Sequence, residues 1–137
     1  MPKILIVEDD PNVVSFLTTI LLGAGYSCVV ATSAEKARSV LETERGIGLA
    51  IFDQNLGEES DTGLALLTEL RQQGKFRKIP VIICTGDTRT AVVSGFLGQS
   101  IASFLKKPFR PERLLADVHK ALGHMGNAIL PPPPLVT

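Results

Sequence analysis

Short apolar runs alternate along the chain with segments in which apolar residues recur every three or four positions. Four of the runs are continuous, which is typical of strands that are buried on both faces of a sheet. These runs cover residues 3–7, 28–31, 48–52 and 80–84. A weaker fifth run, residues 101–105, mixes polar and apolar residues and is typical of an edge strand. The pattern therefore predicts five strands.

Helices are predicted in the intervals between the runs. The first helix begins with Asp10 as its N-cap and Pro11 at its first position, and Gly23 and Gly25 end it. The second helix starts at Thr32, three residues before a glutamate, which is the spacing of a capping box. Three further helices are predicted after Gly63, over residues 89–97 and from about Pro111.

The alternation of strands and helices predicts an α/β domain. Short connections between the elements imply a doubly wound five-stranded parallel sheet that is flanked by five helices. Such sheets bind ligands beyond the carboxyl ends of their strands. We expect this domain to cover residues 1–122 and expect residues 123–137, which contain a run of prolines, to form a flexible tail.

The composition is that of one ordinary globular domain and excludes a disordered chain. The 137 residues are 45% hydrophobic and 20% charged, and 14 Lys and Arg residues balance 14 Asp and Glu residues. A net charge of zero lacks the basic footprint of a dedicated nucleic-acid binder. The first apolar run is too short for a secretory signal, and no run is long enough to span a membrane. Cys28 and Cys84 lie in apolar runs, which favours buried, reduced thiols and a cytoplasmic location.

Polar residues follow four of the predicted strands. Glu8 and Asp9 follow the first strand, Asp53 the third, Thr85 the fourth and Lys107 the last. Each has an ordinary explanation when it is considered alone: acids before a helix stabilise its N-terminal dipole, and a lysine is usually solvated. The carboxyl ends of parallel strands meet at one edge of a sheet, however, so we expect all five side chains to lie together.

The order and spacing of these residues resemble the receiver domain of two-component response regulators over residues 3–122. Four motifs carry the resemblance: ILIVEDDP at the start, Asp53 at the centre, Thr85 after a strand and FLKKPF near the end. The distances of 45 residues from Glu8 to Asp53 and of 22 from Thr85 to Lys107 fit that family. The resemblance implies a flavodoxin-like fold.

The resemblance implies that Asp53 is a phosphoacceptor and that Mg²⁺ is the cofactor. A carboxylate can attack a phosphoryl group to form an acyl phosphate. In the family, Mg²⁺ is bound by the residues that match Asp9, Asp53 and the backbone carbonyl of Asn55, with Glu8 acting through water. Without a metal ion, carboxylates crowded in this way are expected to raise one another's pKa.

The resemblance also implies how the signal is passed on. Lys107 and Thr85 would contact phosphoryl oxygens, and the Lys107–Pro108 peptide bond would be cis. Thr85 and Phe104 would form a switch that changes a face built from the fourth helix, the last strand and the fifth helix, where a downstream protein docks. The phosphodonor would be a sensor histidine kinase or a histidine phosphotransfer protein. Because few residues follow residue 122, we expect a stand-alone receiver that does not bind DNA directly.

The sequence departs from the family pattern after Asp53. Leu56 is followed by Gly57 rather than by proline, and the loop to Gly63 is two residues longer and more acidic than usual. We expect a phosphoacceptor domain that catalyses only its own phosphorylation and dephosphorylation. Two other functions stay open: an interaction module with this fold that is not phosphorylated, and a Mg²⁺-dependent aspartyl-phosphate phosphatase. The phosphatase is disfavoured because Asn55 stands where its motif needs a second Asp.

Overall fold

A computed structural model of the chain describes residues 2–53, 63–72, 79–86 and 101–123. Five parallel strands form one sheet in the order β2-β1-β3-β4-β5. Their bounds are β1 Lys3–Val7, β2 Ser27–Ala31, β3 Ile47–Asp53, β4 Val81–Thr85 and β5 Ser103–Lys106. Each strand overlaps its predicted run, with ends that differ by at most two residues, and β5 lies at an edge as predicted.

Four helices are present among the described residues. They are α1 Pro11–Gly23, α2 Ala34–Thr43, α3 Gly63–Gln72 and α4 Pro111–Gly123. The last of these, α4, is the fifth helix predicted from the sequence. The predicted helix over residues 89–97, the loop 57–62 and residues 124–137 of the tail lie outside the described residues. Across the described part of the chain, none of the helices has the length and hydropathy needed to cross a lipid bilayer.

The helix ends are set by local polar groups. Asp10 caps α1, where its Oδ1 accepts a hydrogen bond from the Asn12 N–H at 2.8 Å, as predicted. The prediction for α2 was wrong by one residue, because Ser33 is the N-cap and its Oγ accepts from the Lys36 N–H at 3.1 Å. Gly25, with φ +94°, follows α1 in a left-handed conformation that favours glycine.

Side chains of the central strands alternate between two buried layers. One face of the sheet packs against α1 and α4, with the residues Ile4, Ile6, Leu49, Ile51 and Ile82. The other face packs against α2 and α3, with the residues Leu5, Val7, Ala50, Phe52 and Ile83. Because both faces are covered, the central strands are apolar over residues 4–7, 47–52 and 81–84, and polar residues follow at their carboxyl edge.

Candidate functional site

The register of the sheet brings four strand ends to one edge. Val7, the last residue of β1, pairs with Phe52 of β3, and Asp53 pairs with Cys84 of β4. Thr85, the last residue of β4, pairs with Lys106 of β5. The residues that follow or end these strands therefore lie at the same edge, as the strand-end argument predicted.

Three carboxylates meet at this edge. Glu8, Asp9 and Asp53 each place a carboxylate oxygen within 4.8 Å of the others. Glu8 and Asp53 are buried, with 2% and 6% of their surface exposed, whereas Asp9 is exposed. Two of the three acids are therefore largely removed from water, where an unpaired negative charge is costly.

Lys107 supplies the positive charge that the buried acids contact. Its Nζ donates hydrogen bonds to Asp53 Oδ1 at 3.0 Å and to Glu8 Oε1 at 3.1 Å. Its backbone N–H donates to the Thr85 carbonyl at 2.8 Å, which ties the end of β5 to the end of β4. We call Glu8, Asp9, Asp53 and Lys107 the acid site.

The charges of the acid site do not balance. The pKa of Glu8 is raised from 4.5 to about 7, first by burial and then by the hydrogen bond and negative charge of Asp53, which together outweigh the lowering by Lys107. Burial lowers the pKa of Lys107, but its bonds to Asp53 and Glu8 outweigh this and the pKa is raised, so Lys107 stays an ammonium. Crowding was expected to raise a carboxyl pKa; the structure makes burial the larger cause.

The donor set fits a magnesium ion. Carboxylate oxygens are the ligands that Mg²⁺ prefers, and it usually takes one or two of them with waters. Glu8, Asp9 and Asp53 are close enough to serve a single ion. Among the described residues of the acid site, one ammonium lies with three carboxylates, and a divalent cation would supply the missing positive charge. Asn55, which the resemblance adds as a ligand, lies outside the described residues.

The remaining predicted residues lie beside the acid site or on the sheet next to it. Thr85 is buried, with 2% of its surface exposed. A Cβ at Gly86 would meet nothing within 4 Å among the described residues, which leave room beside Thr85. Phe104 is partly buried and packs against the layer that holds α2 and α3. The Lys107–Pro108 bond is cis, as the resemblance implied.

Sequence reasoning missed an apolar surface next to Lys107. The rings of Phe16 in α1 and Phe109 after β5 lie with centroids 5.8 Å apart and planes tilted by 60°. They border a surface cavity of about 520 Å³ that is also lined by Asn12, Val13, Lys107 and Pro108. Phe16 lies off the buried stripe of α1, so helical periodicity carries no signal for this contact.

The family model of the response regulator receiver domain matches residues 4–119. The chain belongs to the response regulator receiver family. Receivers are signalling domains of two-component systems that bind Mg²⁺ at an acidic pocket, and they interact with histidine kinases or phosphotransfer proteins and with downstream partners. The predicted family and the flavodoxin-like fold are thus confirmed.

This receiver is similar to domains of longer proteins and to a short one. The two-component response regulator PprB of Pseudomonas aeruginosa is 36% identical over 120 residues, which cover 86% of this chain and 42% of PprB. The transcriptional regulatory protein BasR of Escherichia coli is 36% identical over 126 residues, covering 91% of this chain and 54% of BasR. The chemotaxis protein CheY1 of Helicobacter pylori is 28% identical, covering 88% of this chain and 97% of CheY1. The chain therefore spans about half the length of PprB and BasR.

Solved structures agree with the fold. The signal receiver domain of a signal transduction histidine kinase from Syntrophus aciditrophicus superposes with a TM-score of 0.83 at 29% identity, covering 96% of this chain and 98% of that domain. A CheY-like response regulator receiver domain protein from Methanospirillum hungatei superposes with a TM-score of 0.81 at 25% identity, covering 90% of this chain and 95% of that protein.

Proposed function

We propose that this receiver accepts one phosphoryl group on Asp53 from the phosphohistidine of a sensor histidine kinase or a histidine phosphotransfer protein. One observation carries the proposal: the buried Asp53 carboxylate lies 3.0 Å from the Lys107 ammonium and beside two further carboxylates. A structural ion pair needs one acid for one base. An excess of acids at a strand edge suits the binding of a metal ion, and the ion together with Lys107 would neutralise the charge of a phosphoryl group.

The transfer step exchanges one bond for another. An oxygen of the Asp53 carboxylate attacks phosphorus, an O–P bond forms and the N–P bond of the phosphohistidine breaks. The electron pair of that bond stays on the imidazole nitrogen, which leaves as neutral imidazole when the other ring nitrogen carries a proton. Asp53 needs no general base, because a carboxylate is already ionised when it attacks.

The side chains of the acid site divide the work of positioning and charge neutralisation. Asp9 and Asp53, with Glu8 through water and the Asn55 carbonyl, would hold Mg²⁺, which neutralises charge on the phosphoryl oxygens when it is bound. Lys107 holds the Asp53 carboxylate in place before transfer and then pairs with a phosphoryl oxygen. The Thr85 hydroxyl donates to another phosphoryl oxygen.

We propose that Thr85 and Phe104 pass the signal to a partner. Phe104 pairs with Ile83 across the β4–β5 ladder, two residues before the level of Thr85, and both Ile83 and Phe104 pack in the layer of α2 and α3. Movement of Thr85 toward the phosphoryl group vacates space on that face of the sheet, and Phe104 turns into it. The surface of β5 and α4, with the predicted helix 89–97, then changes shape for a downstream protein.

The setting of this activity follows from the same features. We propose a cytoplasmic signalling domain rather than a true enzyme, and the two free cysteines, Cys28 and Cys84, suit a reducing compartment. Zero net charge favours docking to proteins over direct binding to DNA. The proposed domain spans residues 1–122, and residues 123–137 form a Pro-rich tail; the family match over residues 4–119 supports the domain.

Intact-protein mass spectrometry tests the phosphoacceptor. The chain is incubated with phosphoramidate or an acyl phosphate and Mg²⁺, alongside the Asp53→Ala variant and an Asp117→Asn control that changes an acid outside the acid site. We expect one added phosphoryl group on wild type and on the control, and none on Asp53→Ala. Equal labelling of Asp53→Ala would overturn the assignment.

Two other outcomes point to the alternative functions. No added mass with any donor would favour an interaction module that is not phosphorylated. Repeated turnover of a generic phosphate ester would favour a phosphatase.

A further inference from the structure

The Phe16–Phe109 contact joins the two chain segments that deliver the acid site. Phe16 lies in α1, which begins at Pro11, two residues after Asp9. Phe109 lies two residues beyond Lys107. The two rings meet in a tilted arrangement with centroids 5.8 Å apart, a geometry in which aromatic pairs attract each other. The contact therefore links the helix that follows the acids to the segment that carries the lysine.

The position of Lys107 depends on how its backbone is held. A lysine side chain has four rotatable side-chain bonds, so it loses much rotamer freedom when it is held in one position. Before Lys107, β5 is anchored to β4, and the Lys107 N–H donates to the Thr85 carbonyl. After it, Pro108 is exposed and has no N–H to donate. Phe109 is the first residue beyond Lys107 whose side chain packs against the core.

The surroundings of Phe109 indicate that the contact with Phe16 restricts the segment after Lys107. Phe109 is partly buried against the layer that holds α1 and α4, whereas Phe16 is 40% exposed. The cavity of about 520 Å³ between Phe16, Lys107 and Phe109 leaves open space on that side of the segment. Without the Phe16 ring, the segment after Lys107 would have room to move into this space. The main role of the Phe16 ring is thus to limit the movement of Phe109, because Phe16 itself is not part of the buried core.

We infer that Phe16 and Phe109 are positioning residues, whose contact keeps the Lys107 ammonium on Asp53 and Glu8. The inference rests on the proposed phosphoacceptor function for its effect on rate. On this inference, both rings act through Lys107, whose ammonium contacts Asp53 and Glu8.

Phosphorylation rates test the effect on the reaction. With a small phosphodonor and Mg²⁺, we expect Phe16→Ala and Phe109→Ala to slow labelling of Asp53 by about tenfold, because small displacements of a positioned group cost that much or more. Phe16→Tyr keeps the ring and is expected to label at the wild-type rate. Leu22→Ala is the matched control, because Leu22 lies on the same helix and is 57% exposed.

A double-mutant cycle separates positioning from a merely structural role. If the rings act through Lys107, Phe109→Ala slows labelling in wild type but has no further effect in a Lys107→Met background. If the two losses multiply, or if the two alanine variants label like wild type, the inference is wrong.

A second readout does not depend on phosphorylation. Acylation of lysines by an N-hydroxysuccinimide ester, read by peptide mass spectrometry without metal, is expected to be slow at Lys107, which is bonded to two acids. In Phe16→Ala and Phe109→Ala, it is expected to become several times faster at Lys107 and to stay unchanged at the exposed Lys106. Unchanged protection of Lys107 overturns the inference. Failure of wild type to accept phosphate overturns the proposed function instead, and the acylation result still decides this inference.

Discussion

The acid site and a second polar cluster, at the junction of β5 and α4, differ in how their charges are balanced. In the second cluster, Asp117 Oδ2 accepts a hydrogen bond from Ser103 Oγ at 2.8 Å and from Arg113 Nε at 3.1 Å. One acid there meets one base and one hydroxyl, so its charge is balanced. In the acid site, three carboxylates of the described residues lie together with one ammonium, which contacts two of them.

This difference separates a structural cluster from a functional one. A balanced cluster stabilises the fold, and loss of any member destabilises it modestly. In the unbalanced cluster, burial and the neighbouring Asp53 both disfavour the charged form of Glu8 and raise its pKa, so the cluster is strained in the absence of a ligand. Removing an acid from the unbalanced site should therefore relieve this strain and also abolish function. Substitution of Ser103 should lower stability without affecting function.

The largest expected effect is the loss of Lys107 from the acid site. Lys107→Met removes the ammonium that contacts Asp53 and Glu8, and we expect phosphorylation by a small donor to slow by about a hundredfold. Time courses of intact mass measure the rate. Lys106→Met is the matched control, because Lys106 is the exposed neighbour of Lys107 and carries the same charge at the end of β5. Equal slowing in both variants would show that general charge, not this contact, matters.

Much of the fold could be predicted because the strand signal is local. A parallel strand covered on both faces must be apolar throughout, so each run was recognisable to within two residues. The start of α2 was misplaced by one residue because Thr32 and Ser33 both carry a hydroxyl that can cap, and only the backbone conformation at Ser33 decides between them.

The candidate site was predictable in membership but not in its contacts. The strand-end rule places Glu8, Asp53 and Lys107 at one edge, because it needs only the order of strands and helices. That Lys107 contacts both buried acids depends on the register between β1, β3 and β5, which no local pattern encodes. The contact between Phe16 and Phe109 depends on the path of the segment between β5 and α4, which helical periodicity does not predict.

Magnesium is expected to bind the acid site and not the cluster around Asp117. An ion that binds the folded state at a concentration about a hundredfold above its dissociation constant adds roughly 3 kcal/mol to the free energy of unfolding. We expect a Mg²⁺-dependent rise in melting temperature for wild type and little or none for Asp9→Ala, measured by thermal denaturation with and without chelator. Asp10→Asn is the control, since Asn caps a helix as well as Asp does. Equal rises in wild type and Asp9→Ala would contradict the metal site.

The pH dependence of stability should also differ between the two clusters. The folded-state pKa of Glu8, about 7, lies above its ordinary value of 4.5, so the fold favours the protonated carboxyl. The stability that this provides is complete below about pH 4.5 and is lost as the pH rises through about 7. Relative to Glu8→Gln, which does not titrate, metal-free wild type should lose about 1 to 3 kcal/mol of unfolding free energy across this range.

Urea unfolding in the presence of chelator measures this difference. Asp117→Asn serves as the control from the balanced cluster. At neutral pH we expect it to lower the free energy of unfolding, whereas Glu8→Gln is expected to raise it. Parallel pH profiles for wild type and Glu8→Gln would mean that Glu8 is not strained in the folded protein.

The smallest expected effect comes from the balanced cluster itself. Ser103→Ala removes one hydrogen bond to Asp117, which keeps its ion pair with Arg113, so we expect the free energy of unfolding to fall by about 1 kcal/mol. Ser27→Ala, at an exposed serine of β2, should change it by less than about 0.5 kcal/mol. Because no charge is left unbalanced, the Ser103→Ala loss should be the same with and without Mg²⁺. Phosphorylation of Asp53 should proceed at the wild-type rate, and a slower rate would show that the two clusters are coupled through β5.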